Sequence, residues 1–101
     1  MAKAIALLPI ANQDLDSAYY WYERQKIGLG KRFLTAINAS FQSIQKTPAG
    51  YQTIHKDYRR AVLRRFPYAI FYEEQEEQIV IYAVQSSGLR AVWSKIGRAH
   101  V

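Results

Sequence analysis

The chain has 101 residues, half of them hydrophobic and 22% charged, which suits one soluble globular domain and is too apolar for disorder. It contains no cysteine, which excludes disulfides, a thiol nucleophile and a zinc knuckle, and no run approaches the length of a membrane span. A net charge of +6 favours an acidic partner, whether nucleic acid, ribosome or acidic protein; without the features of a signal peptide the expected location is the cytoplasm.

Lys3 to Leu8 is a short apolar run closed by Pro9 and reads as a first strand. Asn12 or Asp14 is placed to cap a helix whose apolar positions Leu15, Ala18, Tyr19 and Tyr22 recur at the spacing of one helical face. That helix stops near Gly28, where Gly28 and Gly30 around Leu29 supply permissive backbone for a helix end and a tight turn. A second helix follows with a stripe of Leu34, Ile37, Phe41 and Ile44 and ends at Pro48 and Gly50, so the two helices form a hairpin. From Tyr58 the texture turns β-branched and aromatic in three runs, Tyr58 to Arg65, Tyr68 to Glu74 and Gln78 to Gln85, which read as strands. Phe66-Pro67 joins the first two, and the acidic Glu74 to Glu77 stretch is the solvated turn before the third, giving a meander. The expected fold is therefore α+β, a helical hairpin on one face of a small antiparallel sheet, in a single domain over residues 1–95. Residues 96–101, Ile96 to Val101, match what one reading frame of a common sequencing adapter encodes; they are expected to be an adapter-derived tail and are left out of site reasoning, His100 included.

On the last strand Ile79, Ile81 and Ala83 alternate with Val80, Tyr82 and Val84, so both of its faces are apolar. Two helices cover only one face of such a sheet. The other is expected to present apolar and aromatic surface, buried either by a partner protein or by the chain's own loops and tyrosines.

Arg59, Arg60, Arg64 and Arg65 put four guanidinium groups into seven residues. On one continuous strand, 59 and 65 share a face and 60 and 64 the other. One pair can contact carboxylate or phosphate groups of an acidic partner, for which bidentate arginine is suited; equally, they can pair with Glu73 to Glu77 across the hairpin. Tyr19, Tyr20, Trp21 and Tyr22 surround a full helical turn, so some face away from the core, as core-edge aromatics or as an interaction surface. His55 reads as a surface histidine rather than a base, and Asp14, Asp16 and Glu23 as acids that favour the first helix's dipole. No metal-ligand cluster and no phosphate-binding glycine loop is present.

Taken in order, Pro9-Ile10-Ala11 before Asp14-Leu15, Trp21-Tyr22-Glu23, Gly28-Leu29-Gly30 with Phe33, Pro48 with Tyr51, Tyr58-Arg59-Arg60, Phe66-Pro67-Tyr68 with Tyr72, and Tyr82-Ala83-Val84 resemble the RelE/ParE family of small basic toxins. The resemblance covers residues 3 to about 95 and is carried by the ordered set, since each piece alone is common. It implies the order β-α-α-β-β-β, a growth-arresting toxin of a type II toxin-antitoxin system of the plasmid-stabilisation kind, and a cognate antitoxin with an acidic C-terminal segment in a hetero-oligomer. No cofactor, metal or membrane is implied.

The family's nuclease branch cleaves messenger RNA on the ribosome, whereas its ParE branch poisons DNA gyrase. Cleavage needs cationic and proton-transferring groups around a scissile phosphate. The nuclease pattern Tyr-Arg-x-x-Tyr is matched here by Tyr68-Ala69-Ile70-Phe71-Tyr72, with Ala69 in place of the arginine. Beyond Val84 the chain offers Ser86, Ser87, Arg90 and then Trp93 where the nucleases place a tyrosine. Tryptophan stacks but shuttles no proton. These departures favour a ParE-like toxin that binds DNA gyrase and carries no catalytic residues. The alternatives are a ribosome-dependent mRNA endonuclease that uses Lys56, His55 or Tyr58, or an inactive relative that only binds antitoxin. The residues expected to contact target or antitoxin are Arg59, Arg60, Arg65, Tyr68, Arg90 and Trp93, with Arg60 foremost because it sits in the Tyr58-Arg59-Arg60 signature.

Overall fold

The computed structural model describes residues 2–87. Strand β1 (Ala4–Leu7) leads into helices α1 (Pro9–Gln25) and α2 (Leu29–Lys46), and a 3-10 turn at Pro48–Gly50 precedes β2 (Gln52–His55), β3 (Tyr58–Val62), β4 (Tyr68–Glu74) and β5 (Gln78–Ser86). The helical hairpin lies against one face of a five-stranded sheet ordered β1-β5-β4-β3-β2. Neighbours are antiparallel except β1, which pairs in parallel with β5 because the whole hairpin intervenes between β1 and the meander.

Strand β2 is an addition to the expected β-α-α-β-β-β order. Its four residues Gln52-Thr53-Ile54-His55 are all exposed and contain one apolar side chain, so no alternation marks them as a strand. They join the sheet through β3, after a turn in which Lys56 takes a left-handed φ of 51°. Strand β3 in turn ends at Val62 and not at Arg65.

Helix α1 begins at Pro9, ahead of the expected caps Asn12 and Asp14. Proline has no N–H to leave unpaired at a first helical position. Leu8 donates its N–H to the Ile81 carbonyl, and its own carbonyl accepts from Ala11 and Asn12, so strand passes into helix without a polar cap. Ala11, Ala18 and Tyr22 are buried, with Leu15 partly so. On α2 the buried stripe is Phe33, Ile37 and Ile44, with Phe41 at its margin; Leu34, expected in the stripe, is 40% exposed because Phe33 occupies the inward position.

The hairpin turn needs both glycines, for different reasons. Gly28 has a φ of +89°, which side chains other than hydrogen disfavour. A Cβ on Gly30 would lie 2.8 Å from the Tyr19 ring and from the Tyr19 carbonyl oxygen, so the helices approach to a distance that only glycine permits. Glu23 sits in the last turns of α1, not near its start as the dipole reading had it. Its carboxylate accepts N–H bonds from Gly28 and Gly30 at 3.0 Å each, capping α2 from the preceding helix.

Phe33, Ile37, Ile44 and Tyr22 meet Ile70, Tyr72, Ile79, Ile81 and Val84 in one core, where each fully buried aliphatic side chain is worth roughly 1.5–3 kcal/mol. Simple alternation would send Val84 to the opposite face from Ile81. A bulge prevents this: Phe71 faces Ala83 while Tyr72 faces Ile81, so Tyr82 is an extra residue and Val84 rejoins the helix side at 1% exposure. The Val84 N–H, past the end of β1, donates to the Asp14 carboxylate at 3.0 Å and ties α1 to β5. On the far face Val80 and Ala69 are buried and Tyr58, Phe71 and Tyr82 half-buried, while Val62 and Ile54 stand exposed. The chain's own tyrosines thus cover part of that face, with the Tyr58 and Tyr82 rings 4.9 Å apart.

Candidate partner-binding groove

Helix α1 sits on β5, but the outer side of α2 stands away from the end of β3. Between them lies an open groove of about 1310 Å³. Its α2 wall presents Thr35, Ala36, Ala39, Ser40 and Ser43, small residues that allow another backbone to approach. The opposite wall is formed by Tyr51 and by the β3–β4 loop with Val62, Leu63 and Phe66. Among the described residues, Lys31, Arg32, Arg64 and Arg65 are the charged ones of its lining, and none of the lining is acidic.

The loop forms here because Leu63 donates its N–H to the Tyr68 carbonyl and Tyr68 donates its own to the Phe66 carbonyl, closing a compact turn that leaves Arg64 and Arg65 exposed. They therefore lie in a loop and not on alternate faces of a strand, and both face the groove. Phe66 anchors the loop by edge-to-face contact with Phe33 at 5.4 Å and with Tyr22 at 5.0 Å.

The four expected site residues that are described, Arg59, Arg60, Arg65 and Tyr68, do not converge on one surface. Arg65 lines the groove. Arg59 is behind its wall and donates to the Tyr51 carbonyl at 2.7 Å, while Tyr68, half-buried with its ring 5.2 Å from that of Phe33, lines a separate, smaller hollow with Asp14, Trp21 and Val84. Burial, and then the negative charge of Asp14, raise the Tyr68 phenol above its ordinary pKa. Arg60 alternates to the far face, where it donates to the Gln52 side chain at 2.7 Å; its Nε is buried without a partner. Arg90 and Trp93 fall outside the described residues. Neither Arg59 nor Arg60 pairs with the acidic turn. Among the described residues the ion pair there is Lys3 with Glu74 at 2.9 Å, and Glu73 accepts the Tyr82 hydroxyl instead. Of the aromatic run, Tyr22 is buried and Tyr19 covers Gly30, whereas Tyr20 and Trp21 are exposed.

Sequence reasoning missed Lys31, Arg32 and the small residues of α2. The available signal was the run Thr35, Ala36, Ala39, Ser40 and Ser43 on one helical side, too polar for a core face and almost free of charge.

Tyr72 and Tyr82 hold their protons more tightly than a free phenol. Desolvation pushes Tyr72 up to about 12, against the lowering influence of the Arg59 guanidinium. Tyr82 is likewise raised to about 12, first by desolvation and then by its hydrogen bonds with Tyr58 and Glu73. Near neutral pH both phenols keep their protons and act as hydrogen-bond donors. Among the described residues no group of three or more His, Asp or Glu side chains is placed to hold a metal ion, and no helix is long and apolar enough to cross a membrane.

Residues 5–88 match the family model described as the ParE toxin of the type II toxin-antitoxin system parDE. The structure is similar to a solved chain of the chromosomal ParDE TA system from P. aeruginosa, with a TM-score of 0.74 at 18% identity over 84% of this chain and 96% of that one, a likeness of fold. No curated protein matches the sequence. With 84 consecutive residues inside the family model, the chain belongs to the ParE toxin family of type II toxin-antitoxin systems.

Proposed function

We propose that the chain arrests growth by binding DNA gyrase, without catalysis of its own, and that a cognate antitoxin neutralises it by seating an acidic segment in the groove between α2 and the β3–β4 loop. The observation that carries the antitoxin half of this reading is the groove itself: an open channel with a small-residue wall, four cations and no acid. An amphipathic segment with acidic flanks complements it in both shape and charge. In this reading Arg65 contacts the antitoxin directly, while Arg59 and Tyr68 hold the groove wall in place. Arg60, on the opposite face, is assigned to the target, together with Arg90 and Trp93. Ala69, fully buried at the position where the nucleases carry arginine, weighs against RNA cleavage.

The test is induction of the full chain in a bacterial host without antitoxin. Supercoiling defects and chromosome damage support the gyrase reading. Ribosome-phased transcript cleavage would overturn it in favour of a nuclease, and normal growth with soluble protein would leave only an antitoxin-binding module. Arg60→Ala is expected to relieve the arrest at equal expression. Arg64→Glu with Arg65→Glu is expected to prevent co-purification with the antitoxin encoded beside the chain, while stability stays within about 0.5 kcal/mol, as for exposed loop substitutions.

A further inference from the structure

The tip of the helical hairpin breaks two local rules at once. Ile27 is 92% exposed in the turn, although a polar residue would serve the backbone there equally well. Lys31 and Arg32 stand in the first turns of α2, the positive end of its dipole, and no acidic residue of α2 offsets them there. The nearby acid, Glu23, is already engaged by the Gly28 and Gly30 N–H groups. Arg24 and Lys26 add to the same end, and Tyr20, one helical turn before Arg24, is 63% exposed. The result is an exposed apolar residue flanked along the turn by cations, and among the described residues outside the turn no atom lies within 4 Å of the position a Gly28 side chain would occupy.

We propose that this tip is an anchor for the toxin's protein target, with Ile27 entering an apolar pocket on an acidic surface. The proposal rests on the reading of the chain as a toxin that acts by binding. Charge selects the partner: two such tips repel, which disfavours a second copy of the chain, whereas an acidic rim around an apolar pocket satisfies both the isoleucine and the surrounding cations. A rigid apolar residue on a braced turn, with tyrosine and arginine beside it, has the composition of an interface hot spot. The groove opens beside the tip, at Gly28 and Leu29, so a segment seated there would crowd Ile27. Neutralisation then follows from direct exclusion of the target.

The experiment compares full-length wild type, Ile27→Asp and Ile27→Leu, each induced in a host without antitoxin at the lowest level that arrests growth with wild type. Because Ile27 is 92% exposed, Ile27→Asp should melt like wild type. A loss of roughly 30-fold in target affinity, the mark of a hot spot, should restore growth, and Ile27→Leu should remain toxic. An Ile27→Asp chain as toxic as wild type would overturn the proposal, whatever becomes of the toxin reading. A wild type that leaves growth untouched would overturn the toxin reading and this one with it. Undiminished toxicity of Ile27→Asp combined with Ile27-dependent sedimentation on phosphatidylglycerol vesicles would overturn it in favour of a lipid surface. The tip and Arg60 lie on different sides of the sheet, so their variants report on separate contacts.

Discussion

The two halves of the sheet are finished differently. Strands β4 and β5 lie under α1, with Ile70, Ile79, Ile81 and Val84 at or below 1% exposure and Asp14 fastening the helix to the strand. Beyond them α2 stands off from the β3–β4 loop behind a wall of small side chains, and Val62 at the end of β3, on the far face of the sheet, is 54% exposed. The closed half supplies stability, and in the proposed reading the open half receives the antitoxin segment. A domain of this size has little apolar area to spare, so a groove that the described residues leave open beside a filled core is a candidate binding surface.

The contrast is broken most directly by cutting each half in turn. Ile81→Ala should cost about 2–5 kcal/mol in denaturant unfolding, the range for truncating a fully buried isoleucine, whereas Val62→Ser should cost less than about 0.5 kcal/mol. Equal losses would mean that the two halves are not distinct. Gly30→Ala comes next, at about 1–3 kcal/mol, because the new methyl meets the Tyr19 backbone carbonyl, which cannot rotate away. Calorimetry would measure it, and a neutral result would show that the helices separate freely.

The smallest effect concerns pH. Tyr72 donates its hydroxyl to the Pro48 carbonyl from a fully buried position, and its pKa is raised from 10.0 to about 12. A raised folded-state pKa gives stability that is complete below the unfolded value and declines as pH climbs from 10 toward 12, when the unfolded chain ionises first. Tyr72→Phe should lower stability by about 1 kcal/mol near neutrality through the lost hydrogen bond, yet flatten the alkaline decline. An unchanged alkaline limb would assign that decline to other groups.

Much of the closed half was legible in the sequence, because burial there leaves periodic traces. Ile37 and Ile44 mark α2, and Tyr68 to Glu74 and Gln78 to Gln85 mark β4 and most of β5. The failures share a physical origin in pairing between distant segments. Strand β2 has no apolar pattern and exists because β3 offers it an edge. Arg64 and Arg65 look like strand residues until the Leu63 to Tyr68 hydrogen bond closes a loop around them. Leu34 and Phe33 are adjacent, and only the approach of α1 at Gly30 decides which faces inward. The groove was illegible for the same reason. A space between two segments leaves no periodicity in either, and the small residues along α2 acquire meaning once the loop stands opposite them.

Tyr82 gives β5 a change of parity partway along its length. A strand normally assigns its odd and even positions to opposite sides throughout, like teeth set alternately on a saw. Here one inserted tooth exchanges the assignment, so Ile79 and Ile81 before it and Val84 after it all point to the same side. Removing Tyr82 would therefore act less as a shortening than as a frame error, turning every side chain from Ala83 onward in this strand and carrying the Val84 N–H away from Asp14.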